Sequence, residues 1–179
     1  MITEITGNKI RLREKRLSDA HNDYSWHADP ELARLDGSLP TALTFERYVT
    51  RYTREMRFFT TTSRKVFAIE NMDGLHIGNC AYYNIDRFSG ETEIGIMIGD
   101  RDYWDSGYGT DALTTLINHI FRETIFKRLY LKTLESNKRA QACFKKCGFK
   151  PYMSMISNKD NFLYMEIYRK SWGKRQAES

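Results

Sequence analysis

The feature that most constrains the fold is a change of hydrophobic period in the middle of the chain. Residues 91–98 have a residue pattern typical of a β-strand. Apolar side chains then recur at helical spacing from Ala112 to Phe121. The segment between them contains Ser106-Gly-Tyr-Gly-Thr110, whose glycines permit a tight turn. A strand that passes through a glycine loop into a helix predicts a mixed α/β domain and argues against all-helical and all-strand folds.

The remaining segments extend this pattern through the chain. Short turns such as Asp73-Gly74 favour an antiparallel meander between residues 65 and 98. Altogether we predict strands at 9–13, 66–69, 75–85, 91–98, 129–134, 151–157 and 162–169, and helices at 18–28, at 44–60, after Thr110, and between a cap at Asn137 and a stop at Gly148. At 179 residues, with no repeat or linker, the chain is expected to form one domain, residues 1–179, with an ordered core at about 9–169.

Composition excludes several classes of protein. The chain has only 11 glycines and 3 prolines and is 41% hydrophobic, which excludes collagen-like and globally disordered chains. No stretch approaches the roughly 20 apolar residues of a membrane helix, and no secretory signal is visible, so we expect a cytoplasmic protein without a membrane partner. Cys80, Cys143 and Cys147 lack metal-binding spacing, which predicts reduced thiols and no metal site.

The net charge of +5 suits an anionic ligand. The basic residues are scattered and no recognised nucleic-acid-binding motif occurs, so we predict no nucleic-acid partner. A basic nucleic-acid-binding domain stays open as an alternative because aromatic residues are numerous.

The glycine loop carries the most specific chemistry. A helix N-terminus presents unpaired N–H groups and the positive end of the helix dipole, and Gly107 and Gly109 let the backbone approach a bulky anion. The loop is not a Walker loop, because GxxxxGK[ST] does not occur, and it lacks the third glycine of the dinucleotide fingerprint. We therefore predict a phosphate cradle at the start of the helix.

A second motif follows at a fixed distance. Asn137-Lys-Arg-Ala140 is followed by Lys146-Cys-Gly-Phe149, and the glycine loop itself extends from Trp104 to Thr110 as Trp-x-x-Gly-Tyr-Gly-Thr. Together these motifs resemble the GNAT acetyltransferase superfamily, in particular the branch that includes the ribosomal-protein N-terminal acetyltransferases. The resemblance covers roughly residues 9–169. It implies a mixed, mostly antiparallel twisted sheet of about six or seven strands, flanked by about four helices and splayed between the strands on either side of the loop helix.

The resemblance also implies the ligands. Acetyl-CoA is the expected donor and a primary amine the expected acceptor, with no metal, and a homodimer is plausible by resemblance alone. The coenzyme A diphosphate is expected on the backbone of Ser106, Gly107, Tyr108, Gly109 and Thr110, beside Trp104, its pantetheine arm along Ile96, Met97 and Ile98, and its thiol end between Asn137 and Phe144.

The expected reaction is direct attack of a neutral amine on the thioester in a ternary complex. At neutral pH a lysine amine is far less deprotonated than a peptide N-terminus, so the need for a base depends on the acceptor. Glu93 is the candidate base by resemblance, and Glu91 is the second choice because it lies on the same strand face. The alternative for Glu93 is a solvated strand residue.

One departure from the family pattern favours an alternative function. Phe144 stands where the family often places the tyrosine that reprotonates the thiolate. A non-catalytic acyl-CoA-binding or sensory module is therefore the alternative to an enzyme. The acceptor stays open among peptide N-termini, ribosomal proteins, aminoglycosides, polyamines and small amines.

Overall fold

One eight-stranded sheet runs through the part of the chain that the computed structural model describes, residues 4–157 and 160–177. The strands are β1 (Ile5–Thr6), β2 (Ile10–Glu14), β3 (Arg64–Asn71), β4 (His76–Asp86), β5 (Glu91–Ile98), β6 (Arg128–Leu134), β7 (Lys150–Ser157) and β8 (Asp160–Tyr168). Their order across the sheet is β1-β2-β3-β4-β5-β6-β8-β7. Every neighbouring pair is antiparallel except β5 and β6, which are parallel.

Helices cover both faces of this sheet. They are α1 (Ala20–Ala28), α2 (Pro30–Leu35), α3 (Phe45–Glu55), α4 (Tyr108–Glu123), α5 (Lys138–Lys146) and α6 (Arg169–Ala177). On one face, α4 buries Leu113, Leu116 and Ile117 in the main core, which α5 and α6 also join. Over the opposite face, α1 and α3 pack together around Tyr48 and Tyr52.

The parallel pair β5–β6 is short. Its Cα partners are Glu91↔Arg128, Thr92↔Leu129 and Glu93↔Tyr130, although β5 continues to Ile98 and β6 to Leu134. Beyond Glu93 the two strands splay apart, which confirms the splayed sheet that the resemblance implied. The side of β5 that faces this gap has no strand partner over residues 94–98.

The mixed, mostly antiparallel sheet is confirmed, but several predicted elements were wrong in detail. The described residues form eight strands and six helices, because β1 and two helices were missed. No helix was predicted between residues 28 and 44, yet Pro30 begins α2, where proline is favoured and where Asp29 accepts from two backbone N–H groups. No helix was predicted after residue 169 either, yet the polar segment that follows forms α6, whose Trp172 is 5% exposed.

The predicted single domain also includes residues 1–3, 158–159 and 178–179, which lie outside the described residues. The two long helices predicted at 18–28 and 44–60 are shorter than expected, since 3₁₀ turns occupy residues 17–19 and 56–58.

A buried polar cluster fixes α1 against the sheet. Arg13 on β2 donates two hydrogen bonds to Asp19, both 2.9 Å, and one to Glu70 on β3, 2.8 Å. One turn into α1, Asp23 pairs with Lys15 at 2.8 Å. Because all five side chains are largely withdrawn from water, each charge depends on its partner for solvation.

We predict that Arg13→Met lowers the free energy of unfolding by about 3–5 kcal/mol, because Asp19 and Glu70 lose their closest cation while staying buried. Urea denaturation measures this change. Arg11→Met is the matched control on the same strand, since Arg11 is 32% exposed and forms a 3.6 Å surface pair with Glu4; it is expected to cost less than about 1 kcal/mol. Equal losses in the two variants would contradict a structural role for the cluster.

Candidate active site

The loop before α4 leaves the helix N-terminus free of side-chain caps. Gly107 has a φ of 85° and is the N-cap residue, with no side-chain hydrogen bond to the first turn. Asp105, two residues earlier, has a φ of 54°, so the chain turns twice through the left-handed region before the helix begins. The N–H groups at the start of α4 are therefore not bound by a capping side chain and are available to a ligand.

Contacts with the start of β2 hold this loop in place. Lys9 donates to the carbonyl oxygen of Ser106 at 2.9 Å, and its ammonium lies 5.4 Å from the Tyr108 ring centroid. The Asp111 carboxylate accepts from the backbone N–H groups of Asn8 and Lys9, at 3.1 and 2.7 Å. A lysine ammonium thus stands beside the N-terminus of α4, and sequence reasoning missed it because about a hundred residues separate the partners.

A cavity of about 230 Å³ lies between the splayed strands, the start of α4 and α5. Nine predicted site residues line it: Ile96, Met97, Ile98, Trp104, Gly107, Gly109, Thr110, Asn137 and Phe144. The structure therefore brings together two motifs that are about 30 residues apart in the sequence.

Three predicted residues lie outside the lining of this cavity. The Ser106 hydroxyl donates to the Trp104 carbonyl oxygen at 3.0 Å, and the Tyr108 ring packs edge-on against Tyr103. Glu93 lies at the inner end of the splay, on the other face of the sheet. The backbone of Ser106 and Tyr108 still belongs to the turn that begins α4, so their N–H groups remain candidates for an anion.

Two cationic side chains line the cavity, together with the carboxylates of Asp36 and Asp105. The Arg139 guanidinium lies 3.2 Å from the centroid of the Trp104 ring, and Arg139 and Lys146 both line the cavity. The Trp104 indole N–H donates to the Ile98 carbonyl oxygen at 2.8 Å, which fixes the ring beside the end of β5. Sequence reasoning assigned no role to Arg139, because nothing in the local pattern shows which helix face meets Trp104.

The two ends of α5 match the sequence prediction. The Asn137 side chain accepts from the backbone N–H of Ala140 at 3.1 Å and so caps the helix, while Gly148 follows it with a φ of 94°. Phe144 is 6% exposed and packs near Phe149 in the core. The position where a tyrosine was expected by resemblance therefore supplies an apolar wall and no hydroxyl.

Cys143 is also part of the site. It lines the cavity, with its Sγ 3.5 Å from the Thr110 hydroxyl. The reason is that α5 lies beside the first turn of α4, so this face of the helix meets Gly109 and Thr110. A hydrogen bond from the Cys147 thiol lowers the pKa of Cys143 to about 7. All three cysteines are free thiols, as predicted.

A second cavity, of about 380 Å³, lies on the opposite face of the sheet beneath α1 and α3. Its floor is a row of small residues that are Cα partners across three strands, Val66↔Ala81 and Ala81↔Gly95. Asp36, Ile96 and Met97 line both cavities. The two cavities therefore adjoin at the splay between β5 and β6.

Glu93 reaches this second cavity through a tyrosine. The Tyr83 hydroxyl donates to Glu93 at 3.3 Å, and the Asn84 amide donates to its other carboxylate oxygen at 2.8 Å. Tyr83 lines the cavity, and its hydroxyl lies 3.5 Å from where a Cβ on Gly95 would stand. Burial and the adjacent Glu93 carboxylate raise the pKa of Tyr83. The arrangement places a hydroxyl at the splay with a carboxylate directly behind it.

Glu91, the second-choice base, is held elsewhere. Its carboxylate pairs with Arg128 at 2.7 Å, and Arg128 also binds Glu166 at 2.6 Å.

Within residues 4–157 and 160–177, no group of three His, Cys, Asp or Glu side chains is arranged to hold a metal ion. None of the helices in that same part of the chain is long and apolar enough to cross a membrane.

Comparisons with known proteins agree with this geometry. A family profile for the acetyltransferase (GNAT) domain matches residues 9–150. An uncharacterized N-acetyltransferase, p20 from Bacillus licheniformis, is 25% identical over 130 residues, which are 72% of each chain. The spermidine N-acetyltransferase of Vibrio cholerae, solved with CoA and spermine, has a TM-score of 0.81 at 15% identity, covering 92% of this chain and 98% of that one.

A second solved structure with the same fold is the ribosomal alpha-N-protein acetyltransferase RimL in complex with coenzyme A. Its TM-score is 0.79 at 15% identity, and the match covers 93% of this chain and 98% of that one. At such identities the two structures show the fold alone.

We predict that Gly107→Ala weakens coenzyme A binding at least about tenfold, because a side chain at φ 85° strains the turn and shifts the N–H groups of α4. Isothermal titration calorimetry measures the affinity. Gly74→Ala is the matched control, since Gly74 has a φ of 86° in a hairpin turn with open space around it. If both folded variants bind coenzyme A as the wild type does, the assignment of this loop is wrong.

Proposed function

The chain belongs to the acetyltransferase (GNAT) family and is an N-acetyltransferase, and we propose that it moves the acetyl group of acetyl-CoA directly onto a primary amine of a peptide N-terminus or a small molecule. The observation that carries this proposal is the junction of two cavities at the splay. One cavity has an uncapped helix N-terminus that suits a diphosphate, with Lys9 and Arg139 nearby, and the other approaches the same point from the opposite face.

Coenzyme A would occupy the first cavity from its mouth inward. The diphosphate would accept hydrogen bonds from the N–H groups at the start of α4, with the positive charges of Lys9 and Arg139 nearby. The pantetheine arm would lie along residues 96–98, where the backbone of β5 faces the gap without a strand partner. This path would bring the thioester toward the inner end of the splay, near Phe144.

The reaction would be a direct displacement. The lone pair of the neutral amine forms the C–N bond to the thioester carbonyl carbon, and the C–S bond breaks with its electron pair passing to sulfur. The amine nitrogen then gives up a proton. Family relatives are described with CoA together with spermine, or with a ribosomal protein as acceptor, which supports amine acceptors as a class.

Glu93 would accept that proton through Tyr83. The amine would pass a proton to the Tyr83 oxygen while Tyr83 passes its own proton to Glu93, 3.3 Å away. This concerted transfer needs no free tyrosinate, which is consistent with the raised pKa of Tyr83. Asn84 would hold the carboxylate in position through its 2.8 Å hydrogen bond.

Phe144 carries no hydroxyl and so would not protonate the leaving thiolate. The proton would come from water entering as the product leaves. The sequence-based alternative, a non-catalytic acyl-CoA-binding module, rested on this phenylalanine alone. The Glu93–Tyr83–Asn84 network supports the enzyme instead, since mere binding of coenzyme A requires no acid–base pair on the opposite face of the sheet.

The motif from Trp104 to Thr110 and the match to RimL support placing the chain near the ribosomal-protein N-terminal acetyltransferase branch. The match to the spermidine enzyme is of similar quality, so this likeness supports the branch without deciding the acceptor.

We predict that Glu93→Gln lowers kcat at least about 100-fold, the range expected for loss of a general base, while the affinity for coenzyme A is unchanged. Tyr83→Phe should lower kcat similarly, and the double variant should be no slower than the slower single variant, because both residues serve one proton path. Release of the coenzyme A thiol, with the product confirmed by mass, measures turnover.

Glu91→Gln is the control for this experiment. It lies two residues earlier on the same strand face but is paired with Arg128, so turnover should be retained. If Glu91→Gln abolishes turnover and Glu93→Gln does not, the base has been assigned to the wrong residue. If coenzyme A binds but no amine is acetylated by the wild type, the proposed function is wrong.

A further inference from the structure

Two cysteines lie one turn apart on α5 and its C-terminal end, on the side of that helix that faces α4. The Cys143 Sγ lies 3.5 Å from the Thr110 hydroxyl, and the Cys147 Sγ lies 3.7 Å from the Thr114 hydroxyl. The two thiols also hydrogen-bond to each other. Because Thr110 and Thr114 are themselves one turn apart on α4, the four side chains form a compact cluster between the two helices.

The cysteines differ in exposure. Cys147 is 2% exposed and belongs to the main core, whereas Cys143 is half-buried and lines the first cavity. The Cys143 sulfur lies 3.7 Å from the position that a Cβ on Gly109 would occupy. A small solute in the cavity therefore meets Cys143, while Cys147 and the buried Cys80 are shielded.

The surroundings of Cys143 favour its thiolate form. The Cys147 thiol and the Thr110 hydroxyl can each donate a hydrogen bond to the sulfur, and Lys146 adds a positive charge nearby. The sulfur also lies beside the first turn of α4, at the positive end of the helix dipole. These effects outweigh burial and lower the pKa of Cys143 to about 7, so about half of this thiol is ionised at neutral pH.

The other two thiols are poor nucleophiles. Burial raises the pKa of Cys80, and the hydrogen bond to Cys143 together with burial raises the pKa of Cys147. Both therefore stay protonated at neutral pH, and the thiolate is the reactive form of a cysteine. Among the three cysteines, Cys143 alone combines access from the cavity with ionisation.

We propose that Cys143 is a modification site that reacts with a small disulfide such as glutathione disulfide, and that the resulting mixed disulfide blocks coenzyme A. The Cys143 sulfur attacks one sulfur of the disulfide and forms a new S–S bond. The old S–S bond breaks with its electron pair passing to the departing thiolate. One disulfide is consumed and one is formed, so no other oxidant is needed. This inference rests on the proposed function, because it takes the first cavity as the coenzyme A site.

The position of the sulfur explains why modification and coenzyme A would compete. Gly109 and Thr110 belong to the turn whose N–H groups would bind the diphosphate, and the Cys143 sulfur lies beside both. A glutathionyl group attached there would occupy the space of the coenzyme in a cavity of only about 230 Å³. Bound coenzyme A would in turn cover the sulfur and protect it.

Cys147 is not positioned to displace the attached glutathione. Cβ atoms one turn apart on a helix are about 5–6 Å apart, whereas a disulfide needs about 3.5–4.5 Å. An intrahelical disulfide would therefore require the end of α5 to unwind, and the packing of Phe144 and Phe149 in the core opposes this. We expect the mixed disulfide to accumulate, with Cys147 serving as the hydrogen-bond donor that favours the Cys143 thiolate.

Mass spectrometry of peptides from the treated protein tests the site. Folded wild-type protein is incubated with glutathione disulfide at neutral pH and then digested. The expected product carries one glutathione on Cys143 and none on Cys80 or Cys147. Coenzyme A binding, measured by isothermal titration calorimetry on the treated protein, should be lost and should return when dithiothreitol removes the glutathione.

Alkylation by iodoacetamide measures the reactivity of Cys143 and its protection. The rate constant should rise with pH around a midpoint of about 7, rather than about 8.5 as for a free thiol, because the thiolate is the reacting form. Saturating coenzyme A should slow alkylation of Cys143 at least about tenfold, since the bound coenzyme covers the sulfur. The other charged groups that line the cavity are Arg139, Asp36 and Asp105.

Variants separate the roles of the two thiols. Cys147→Ala should slow the reaction of Cys143 at pH 7 about threefold or more, because the thiolate fraction falls while the remaining thiolate is only moderately more nucleophilic. Cys147→Ser keeps a donor of similar size and should react nearly as the wild type does. Cys143→Ser, compared with its own untreated form, should show no change in coenzyme A affinity after exposure to glutathione disulfide.

The outcomes distinguish this inference from the proposed function. If glutathione attaches to Cys143 but coenzyme A binds as before, or if coenzyme A gives no protection, the inference is wrong while the acetyltransfer proposal stands. An unmodified Cys143, or a Cys143–Cys147 disulfide as the product, would also overturn it. If the untreated wild type does not bind coenzyme A, both proposals fail. Selective and reversible modification that coenzyme A prevents would establish the inference.

Discussion

The short parallel pairing of β5 and β6 is the constraint on which the rest of the site depends. Three residue pairs join the strands, and beyond Glu93↔Tyr130 they separate. The separation leaves backbone groups of β5 without a strand partner and opens the sheet to both faces. Unpaired backbone N–H and C=O groups are costly when buried, so such a gap is a natural place for an extended ligand to supply the missing hydrogen bonds.

Different structural features border the gap on the two faces of the sheet. On one face, the uncapped start of α4 and the stacked pair of Arg139 and Trp104 flank the first cavity. On the other, the row Val66, Ala81 and Gly95 contributes little side-chain volume, and the buried ion pairs around Arg13 and Lys15 hold α1 above it. Small side chains below and a fixed helix above leave a cavity in an otherwise close-packed fold.

Local sequence determined those parts of the protein in which a short pattern has one physical solution. The strand at 91–98, the turn at Gly107 and the Asn137 cap were predictable, because alternation, φ freedom and capping depend on nearby residues. Pro30 shows the limit of such patterns, since a proline both interrupts and begins helices. Helix α6 was missed because a long-range contact of Trp172 stabilises it.

The sequence by itself thus determined the fold class, the phosphate loop and the family resemblance, all of which reside in contiguous motifs. Only the tertiary structure decided which distant side chains meet: Lys9 beside α4, Tyr83 between Glu93 and the cavity, and Arg139 against Trp104. The physical reason is that these meetings depend on strand register and on which face of a helix packs inward. Strand register and helix orientation minimise the free energy of the whole domain. They therefore cannot be predicted from the residues flanking each position.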